Sequence, residues 1–299
     1  VHRFLPARLT KRSRDSGGML AHSRPILEFT KEENDTGYSY LRSIGCNDGR
    51  FVCLLVRDEE YLNRRFQGRD WAYQDYRNSS IDDYLTAGLA LADRGYHVIR
   101  MGKNVKSAMK SVNARIVDYA NSSANSEFLD IWLMANCLFT ISTGTGTDAV
   151  SNVFGKPVVY VNFLPAMDYV SFFHGITVFK KLRWKKSGEL LSLEEMLANS
   201  YLSSSEYESH GISVVDLDPE EILDAVIEME ERISGRWFST DLDSELDLTY
   251  REIMKLSPKY DMSHNFIHPE SRLGAMFLRK NYQWYLPLTK NLMTDTTMR

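Results

Sequence analysis

The sequence predicts an α/β fold in which helices cover both faces of a parallel sheet. Residues 51–56 form a continuous apolar run, which is typical of a strand buried on both faces. Short β-rich runs of this kind alternate with longer helical patterns, and such alternation favours parallel β-α-β units. Residues 138–162 have the pattern of strand, Gly/Thr turn, short helix, turn and strand. These observations predict a Rossmann-like sheet that binds its ligand at the turn after a strand.

The elements before the Gly/Thr turn are predicted from helix caps and apolar runs. Thr30 and Glu33 have the spacing of a capping box, and Ser80 is placed to cap a later helix. A long polar loop with several aromatic residues, over 59–80, follows the first strand. The predicted elements are a helix over 30–44, a strand over 51–56, a helix over 81–93, a strand over 96–101, a short strand over 115–119 and a helix over 127–137.

The Gly/Thr turn and the elements after it complete the predicted domain. Thr145, Thr147 and Asp148 supply hydroxyls and an N-cap for a helix through Phe154. The later elements are strands over 158–161, 176–179 and 212–215, a second capping box over 192–195 and an amphipathic helix over 218–233. We divide the chain into a basic linker or remnant of an N-terminal domain (1–29), a Rossmann-like domain (30–235) and a C-terminal helical extension (236–299).

Composition excludes several classes of function. The formal net charge of −4 argues against a general nucleic-acid binder. No apolar run approaches the roughly 20 residues that a membrane span needs, although the basic stretch over 1–24 leaves open a peripheral association with membranes. Three cysteines without metal-ligand spacing predict a reducing, cytoplasmic setting. The histidines have no partners at ligand spacing either, so we expect no metal site and no cofactor.

The end of the first strand carries the first candidate site residues, Arg57 and Asp58. An arginine here places a permanent cation at the carboxyl edge of the sheet, where its planar fork can bind phosphate. Asp58 is a candidate general base that activates an acceptor hydroxyl, with His174 as a weaker candidate. The alternative interpretation is a structural Arg–Asp pair that closes the strand.

Three further candidates follow Arg57. Arg77 and Asn78 lie directly before a predicted helix start, where anions are favoured, so Arg77 could clamp a phosphate and Asn78 could hold a sugar hydroxyl. Arg100 ends the next predicted strand at the same edge. Asn78 could instead belong to a helix cap, and Arg100 could be a surface residue.

The Gly/Thr turn has two functional interpretations. Gly144, Gly146 and Ala149 fit a dinucleotide-binding fingerprint, but the acidic residue expected after the next strand is replaced by Asn162. The other interpretation is a cradle of backbone N–H groups and hydroxyls for a phosphate or a sugar. A tight turn that serves packing alone stays open. The candidate donor-binding residues are Ser142, Thr143, Gly144, Thr145, Gly146 and Thr147.

These segments resemble a largely uncharacterised bacterial family of predicted glycosyltransferases. The motifs that carry the resemblance occur in one order: Val56-Arg-Asp with Tyr61, Tyr76-Arg-Asn-Ser with Ile81, residues 94–102, residues 154–162 and residues 272–279. At greater distance the chain is similar to fucosyltransferase-like enzymes with two Rossmann domains (GT-B). In those enzymes a His-x-Arg motif places its arginine on the donor diphosphate. Arg57 matches that arginine, but Leu55 stands at the histidine position.

The resemblance implies a metal-independent transferase whose C-terminal half binds the nucleotide-sugar donor. This chain contains that half, and little sequence precedes Thr30, so it is either a fragment or an enzyme with an abbreviated N-terminal half. The predicted function is sugar transfer from a nucleotide-sugar to a glycan or lipid-linked acceptor in polysaccharide biosynthesis. The alternatives are a non-catalytic nucleotide-binding module and, with less support, an NAD-dependent enzyme.

Overall fold

The computed structural model describes residues 15, 17–22, 27–257, 260 and 265–286. Most of the predicted basic segment over 1–29, and the last residues of the predicted C-terminal extension, lie outside these ranges. No described helix combines the length and the apolar character that crossing a bilayer requires.

The strands form one large parallel sheet and one small antiparallel sheet. In chain order they are β1 (Phe51–Leu55), β2 (His97–Arg100), β3 (Ile116–Val117), β4 (Thr140–Ser142), β5 (Val158–Phe163), β6 (Gly175–Phe179), β7 (Lys181–Trp184), β8 (Ile212–Val215) and β9 (Ser271–Leu273). The large sheet has the order β3-β2-β1-β4-β5-β6-β9, and every neighbouring pair in it is parallel. The predicted α/β class with a Rossmann-like sheet is confirmed.

The order of the strands reverses at β1. Its two neighbours are β2 and β4, with Leu54 opposite Arg100 and Leu55 opposite Ser142. The chain therefore leaves β1 toward one side of the sheet and leaves β4 toward the other. Open α/β sheets bind ligands in the crevice at such a switch point, outside the carboxyl ends of the strands.

Helices cover both faces of the large sheet, as predicted. They are α1 (Lys31–Ser43), α2 (Glu60–Arg65), α3 (Leu85–Asp93), α4 (Glu127–Asn136), α5 (Asp148–Val153), α6 (Leu193–Ala198), α7 (Ser204–Ser209), α8 (Pro219–Ile233), α9 (Asp241–Met254) and α10 (Ala275–Tyr285). Alternate side chains of β1 pack on opposite faces of the sheet. Val52 and Leu54 join the core under α3 and α8, whereas Phe51, Cys53 and Leu55 join the core under α1 and α4.

The cap signals in the sequence are confirmed as helix starts. The capping boxes predicted at Thr30 and Ser192 form with both of their reciprocal bonds, and the structure has further boxes at Asp218 and Thr240. Ser80 also accepts a bond from the Asp82 N–H, but the first turn that it caps, Ile81–Tyr84, is a 3₁₀ turn that leads into α3. The long loop before it contains α2 and another 3₁₀ turn, so it is more ordered than the sequence pattern predicts.

The C-terminal segment, predicted as a helical extension, contains the helices α9 and α10 and also a strand. Its strand β9 pairs with β6 and extends the large sheet, and α10 packs against α8 and α9. Glu228 of α8 is fully buried and accepts a bond of 3.2 Å from the N–H of Met276 at the start of α10. Residues on both sides of the predicted boundary at 235–236 therefore contribute strands to the large sheet. The predicted strand over 212–215 is also present, but it pairs with β7 outside the large sheet.

The α1–α4 contact depends on one glycine. A Cβ atom at Gly37 would lie 2.1 Å from the Trp132 ring, which is fully buried and held by a 3.1 Å bond from its Nε1 to Asn34. Gly37→Ala should lower the free energy of unfolding by about 1–3 kcal/mol through overpacking, although alanine is the better helix former. Urea denaturation measures this. Ser39→Ala, at an exposed position of the same helix, is the control, and equal effects of the two changes would contradict the prediction.

Candidate active site at the strand switch point

The segments after β1 and β4 are joined by hydrogen bonds at the base of the crevice. The N–H of Arg57 donates to Thr143 Oγ1 at 3.0 Å, and the N–H of Thr143 donates to the carbonyl of Leu55 at 3.2 Å. The N–H of Ser79 donates to the carbonyl of Arg57 at 3.0 Å, which brings the 77–80 segment to the same place. The structure thus brings together three segments that the sequence nominates separately.

Two arginines face this crevice without an acidic partner. Arg57 Nη2 donates to Gln74 Oε1 at 2.7 Å, and Arg77 Nη2 donates to the carbonyl of Gly144 at 2.6 Å. The Nε atoms of both are buried and have no partner, and neither guanidinium forms an ion pair within the described part of the chain. Burial, and then the charge of Arg77, lower the pKa of Arg57 from its ordinary value. Buried donors normally find partners, so this pair is suited to an anion.

The Gly/Thr loop is fixed from beneath by Asp148. Asp148 Oδ2 accepts a bond of 2.6 Å from Ser142 Oγ and one of 2.8 Å from the Thr145 N–H, while Ser142 Oγ accepts the Gly144 N–H at 3.0 Å. The prediction that this region caps a helix is only partly right, because α5 begins at Asp148 and Thr147 makes no side-chain cap bond. The Asp148 carboxylate turns back to the loop instead.

The loop residues therefore divide into two groups. The hydroxyls of Ser142 and Thr143, predicted as donor contacts, are buried and have internal partners, so they position the loop in this structure. Thr145 Oγ1 is buried without a partner, and Gly146 and Thr147 are exposed. These last three residues are the ones that remain able to contact a ligand.

The other predicted site residues lie on the β2 side of β1, around a cavity of about 320 Å³. Asp58, Asn78 and Arg100 all border it. Asp58 Oδ1 accepts the Glu60 N–H and its Oδ2 accepts the Lys106 N–H, each at 2.9 Å. Both carboxylate oxygens thus hold loops, which leaves Asp58 with a positioning role in this conformation.

Arg100 is buried and not a surface residue. It is 1% exposed, donates to the Ser107 carbonyl and lies 3.4 Å from Asp118. Burial lowers the pKa of its guanidinium, and the charge of Asp118 offsets part of that effect. The charge of Arg100 is therefore balanced by Asp118, whereas Arg57 and Arg77 form no ion pair among the described residues.

The sequence analysis missed Lys180, which directly follows β6. Lys180 is 2% exposed, and its Nζ donates to the carbonyl of Asn78 and to Asp216 Oδ1 at 2.7 Å. Burial lowers the pKa of Lys180, while Asp216 opposes that shift. The sequence did contain a signal for Lys180, because a lysine directly follows an apolar run there. The same pattern identified Arg57 as a candidate site residue. Lys180 holds the 77–80 segment over the sheet.

The positions of His174 and Asn162 test two other hypotheses from the sequence. His174 precedes β6, so it lies at the amino edge of the sheet, opposite the crevice, and burial lowers its pKa to about 4. It is poorly placed to act as the base. The Asn162 amide donates to Tyr84 Oη at 3.2 Å and accepts the Leu217 N–H at 2.7 Å, so both of its ends are engaged in the core. That arrangement disfavours the ribose contact which a dinucleotide site requires.

No group of three or more His, Cys, Asp or Glu side chains within the described ranges is arranged to hold a metal ion. The expectation of a metal-independent site stays a prediction.

The two glycines of the loop make a matched pair of test positions. Gly144 has φ +81°, and a Cβ atom there would lie 2.5 Å from the Phe163 ring, whereas a Cβ atom at Gly146 meets nothing within 4 Å. Gly144→Ala should lower the free energy of unfolding by about 1–3 kcal/mol, and Gly146→Ala should change it by less than about 0.5 kcal/mol. Urea titrations of both variants measure this, and a tolerated Gly144→Ala would show that the loop has another conformation.

Asp148 predicts a pH dependence of stability. It is 6% exposed, and burial raises its pKa to about 6 against the bonds from Ser142 and Thr145 that lower it. The unfolded chain releases this proton near pH 4, so the contribution of Asp148 lowers stability as pH rises from about 4 to 6, by up to about 3 kcal/mol.

The variant Asp148→Asn isolates this charge, because both bonds end on one oxygen that an amide can replace. We expect the variant to gain stability relative to the wild type as pH rises through that window. Urea denaturation at pH 4.5 and 7.5 measures the difference. Asp93→Asn, at an exposed position of α3, is the control, and parallel profiles of Asp148→Asn and the wild type would contradict the prediction.

Comparison with known proteins adds no relative to this description. No protein-family model, no curated protein and no solved structure matches the chain. The family resemblance in the sequence motifs thus stays a prediction, and the function is argued from the geometry at the switch point.

Proposed function

We propose that the chain is a metal-independent glycosyltransferase of GT-B type that transfers a sugar from a nucleotide-sugar donor to a glycan or lipid-linked acceptor. The observation that carries this proposal is the pair Arg57 and Arg77, two partly buried cations whose Nε atoms are unpaired and which have no carboxylate partner among the residues that the structure describes. They lie at the switch point of a parallel sheet, the usual ligand position in open α/β folds.

A nucleoside diphosphate is the leaving group that such a pair fits. As the bond between the sugar and the diphosphate breaks, negative charge develops on the phosphate oxygen that leaves. Preorganised cations near that oxygen stabilise the transition state more than the ground state, which is what accelerates the reaction. Two guanidinium groups can supply the charge that a divalent ion supplies in other transferases, with Arg57 and Arg77 each presenting a planar fork of donors.

The Gly/Thr loop supports the same ligand from the other side of the crevice. Its buried Ser142 and Asp148 fix the backbone, and the exposed Gly146 permits close approach of a phosphate or a ribose. The three cysteines, Cys46, Cys53 and Cys137, are buried and unpaired, which agrees with the reducing, cytoplasmic setting that we propose.

A non-catalytic nucleotide-binding module is the second candidate. One observation favours it: Asp58, the predicted general base, has backbone donors on both carboxylate oxygens. An acceptor hydroxyl would need another base or a movement of this loop. Release of nucleoside diphosphate from a donor by this chain, in the presence of acceptor, would exclude the module.

Arg57→Ala should weaken binding of nucleoside diphosphates by about 10- to 100-fold, the value of one or two charge-assisted hydrogen bonds. Arg57→Lys should recover only part of this loss, because an ammonium cannot bind two phosphate oxygens in parallel. Isothermal titration calorimetry against uridine, guanosine, cytidine and thymidine diphosphates measures the affinities.

Arg65→Ala is the matched control, since Arg65 ends α2, the helix that follows Arg57 in the chain, and is exposed. It should bind like the wild type. Thermal unfolding checks that each variant is folded. Unchanged affinity of a folded Arg57→Ala protein, or no binding of any diphosphate by the wild type, would refute the proposed function.

A further inference from the structure

The cavity on the β2 side of β1 differs in charge from the arginine pair. Except for Asp58, the charged residues in the wall of the cavity belong to ion pairs. The pairs are Arg100–Asp118 at 3.4 Å, Lys106–Glu59 at 2.6 Å and Lys180–Asp216 at 2.7 Å. The remaining wall carboxylate, Asp58, accepts two backbone N–H groups. None of the described residues around this cavity is an unpaired cation that could bind an anion. The walls of the cavity therefore suit an uncharged polar group.

Three polar atoms of residues that line the cavity lack hydrogen-bond partners among the described residues. They are Asn78 Oδ1, an acceptor, Arg100 Nε, a donor, and Ser79 Oγ, which can donate and accept, and all three are buried. Arg100 is almost completely buried. Leaving such atoms unpaired is unfavourable, so a group that both donates and accepts would be stabilised at this place. A hydroxyl group does both.

The size and position of the cavity narrow the ligand further. Its volume of about 320 Å³ lies at the lower end of the usual range for ligand pockets, which suits a single ring. Asp58 and Asn78 border it, and each directly follows one of the two arginines in the chain. Consecutive Cα atoms lie about 3.8 Å apart, so the cavity adjoins the proposed diphosphate position.

We infer that this cavity binds an uncharged, hydroxyl-bearing ring that is attached to the diphosphate, with Asn78 and Arg100 bonding its hydroxyls. The inference rests on the proposed function and deepens it. Two rings of a nucleotide-sugar have this chemistry, the transferred sugar and the ribose. Their shared feature is a set of neutral hydroxyl groups, and the experiment below distinguishes them.

Ser107→Phe narrows the cavity, because Ser107 is exposed and borders it, and only its carbonyl bonds Arg100. Ala108→Phe, at the next exposed position and outside the wall, is the matched control. Asn78→Ala removes the unpaired acceptor as a second test. Calorimetry with pyrophosphate, nucleoside diphosphates and their sugar conjugates measures binding to each variant.

We expect Ser107→Phe and Asn78→Ala to weaken binding of the sugar conjugate at least tenfold and to change pyrophosphate affinity less than twofold. If the plain nucleoside diphosphate is unaffected, the ring in the cavity is the transferred sugar. If it weakens equally, the ring is the ribose. Folded variants that bind every ligand as the wild type does would overturn the inference, as would an equal loss with Ala108→Phe.

A separate measurement distinguishes failure of this inference from failure of the proposed function. Saturation-transfer NMR with free monosaccharides at millimolar concentration needs no diphosphate site. A signal that Ser107→Phe removes and Arg57→Ala retains supports the cavity even if no nucleotide binds. Nucleotide-sugar binding that depends on Arg57 but not on Ser107 or Asn78 would preserve the proposed function and refute the cavity.

Discussion

The hydrogen bond from the Arg57 N–H to Thr143 Oγ1 joins the two halves of the sheet at the point where they diverge. The chain crosses from β1 to β2 and from β4 to β5, on opposite sides of the β1–β4 pair, so the segments after β1 and β4 diverge. This bond holds them together at the base. The positions of Arg57 and of the Gly/Thr loop follow from that constraint, because each directly follows one of these strands, and Arg77 joins them through its bond to the carbonyl of Gly144.

Several groups in the crevice lower the free energy of unfolding. Arg57 and Arg77 repel each other, their Nε atoms are unpaired, and Asp148 is buried beneath the loop with a raised pKa. Elsewhere the fold pairs its buried charges, as Glu228 does with Arg232 at 2.8 Å. Buried polar atoms without a partner also occur elsewhere, as at Tyr40 Oη and Asp247 Oδ1, but the crevice combines them with two like charges and a perturbed carboxylate, a combination typical of functional sites.

Sequence patterns predicted those parts of the fold that depend on local chemistry. The apolar run of β1 and the capping boxes at Thr30 and Ser192 were sufficient because burial and capping act over a few residues. Strand β9 was missed because three residues, Ser-Arg-Leu, carry no apolar run and form a strand only through pairing with β6. In the site, Arg57 was predictable from its strand, whereas the bonds of Ser142 and Asn78 depend on partners brought close by the tertiary fold.

The large sheet ends on very short strands. Within the described residues its two outermost strands are β3, with two residues, and β9, with three, and Arg272 of β9 pairs with Glu270 at 2.7 Å. An edge strand offers unpaired backbone groups to other chains, and short or charged edges limit that hazard. The fully buried strand β1 thus lies in the interior of the sheet, and the short edges give little template for intermolecular strand pairing and aggregation.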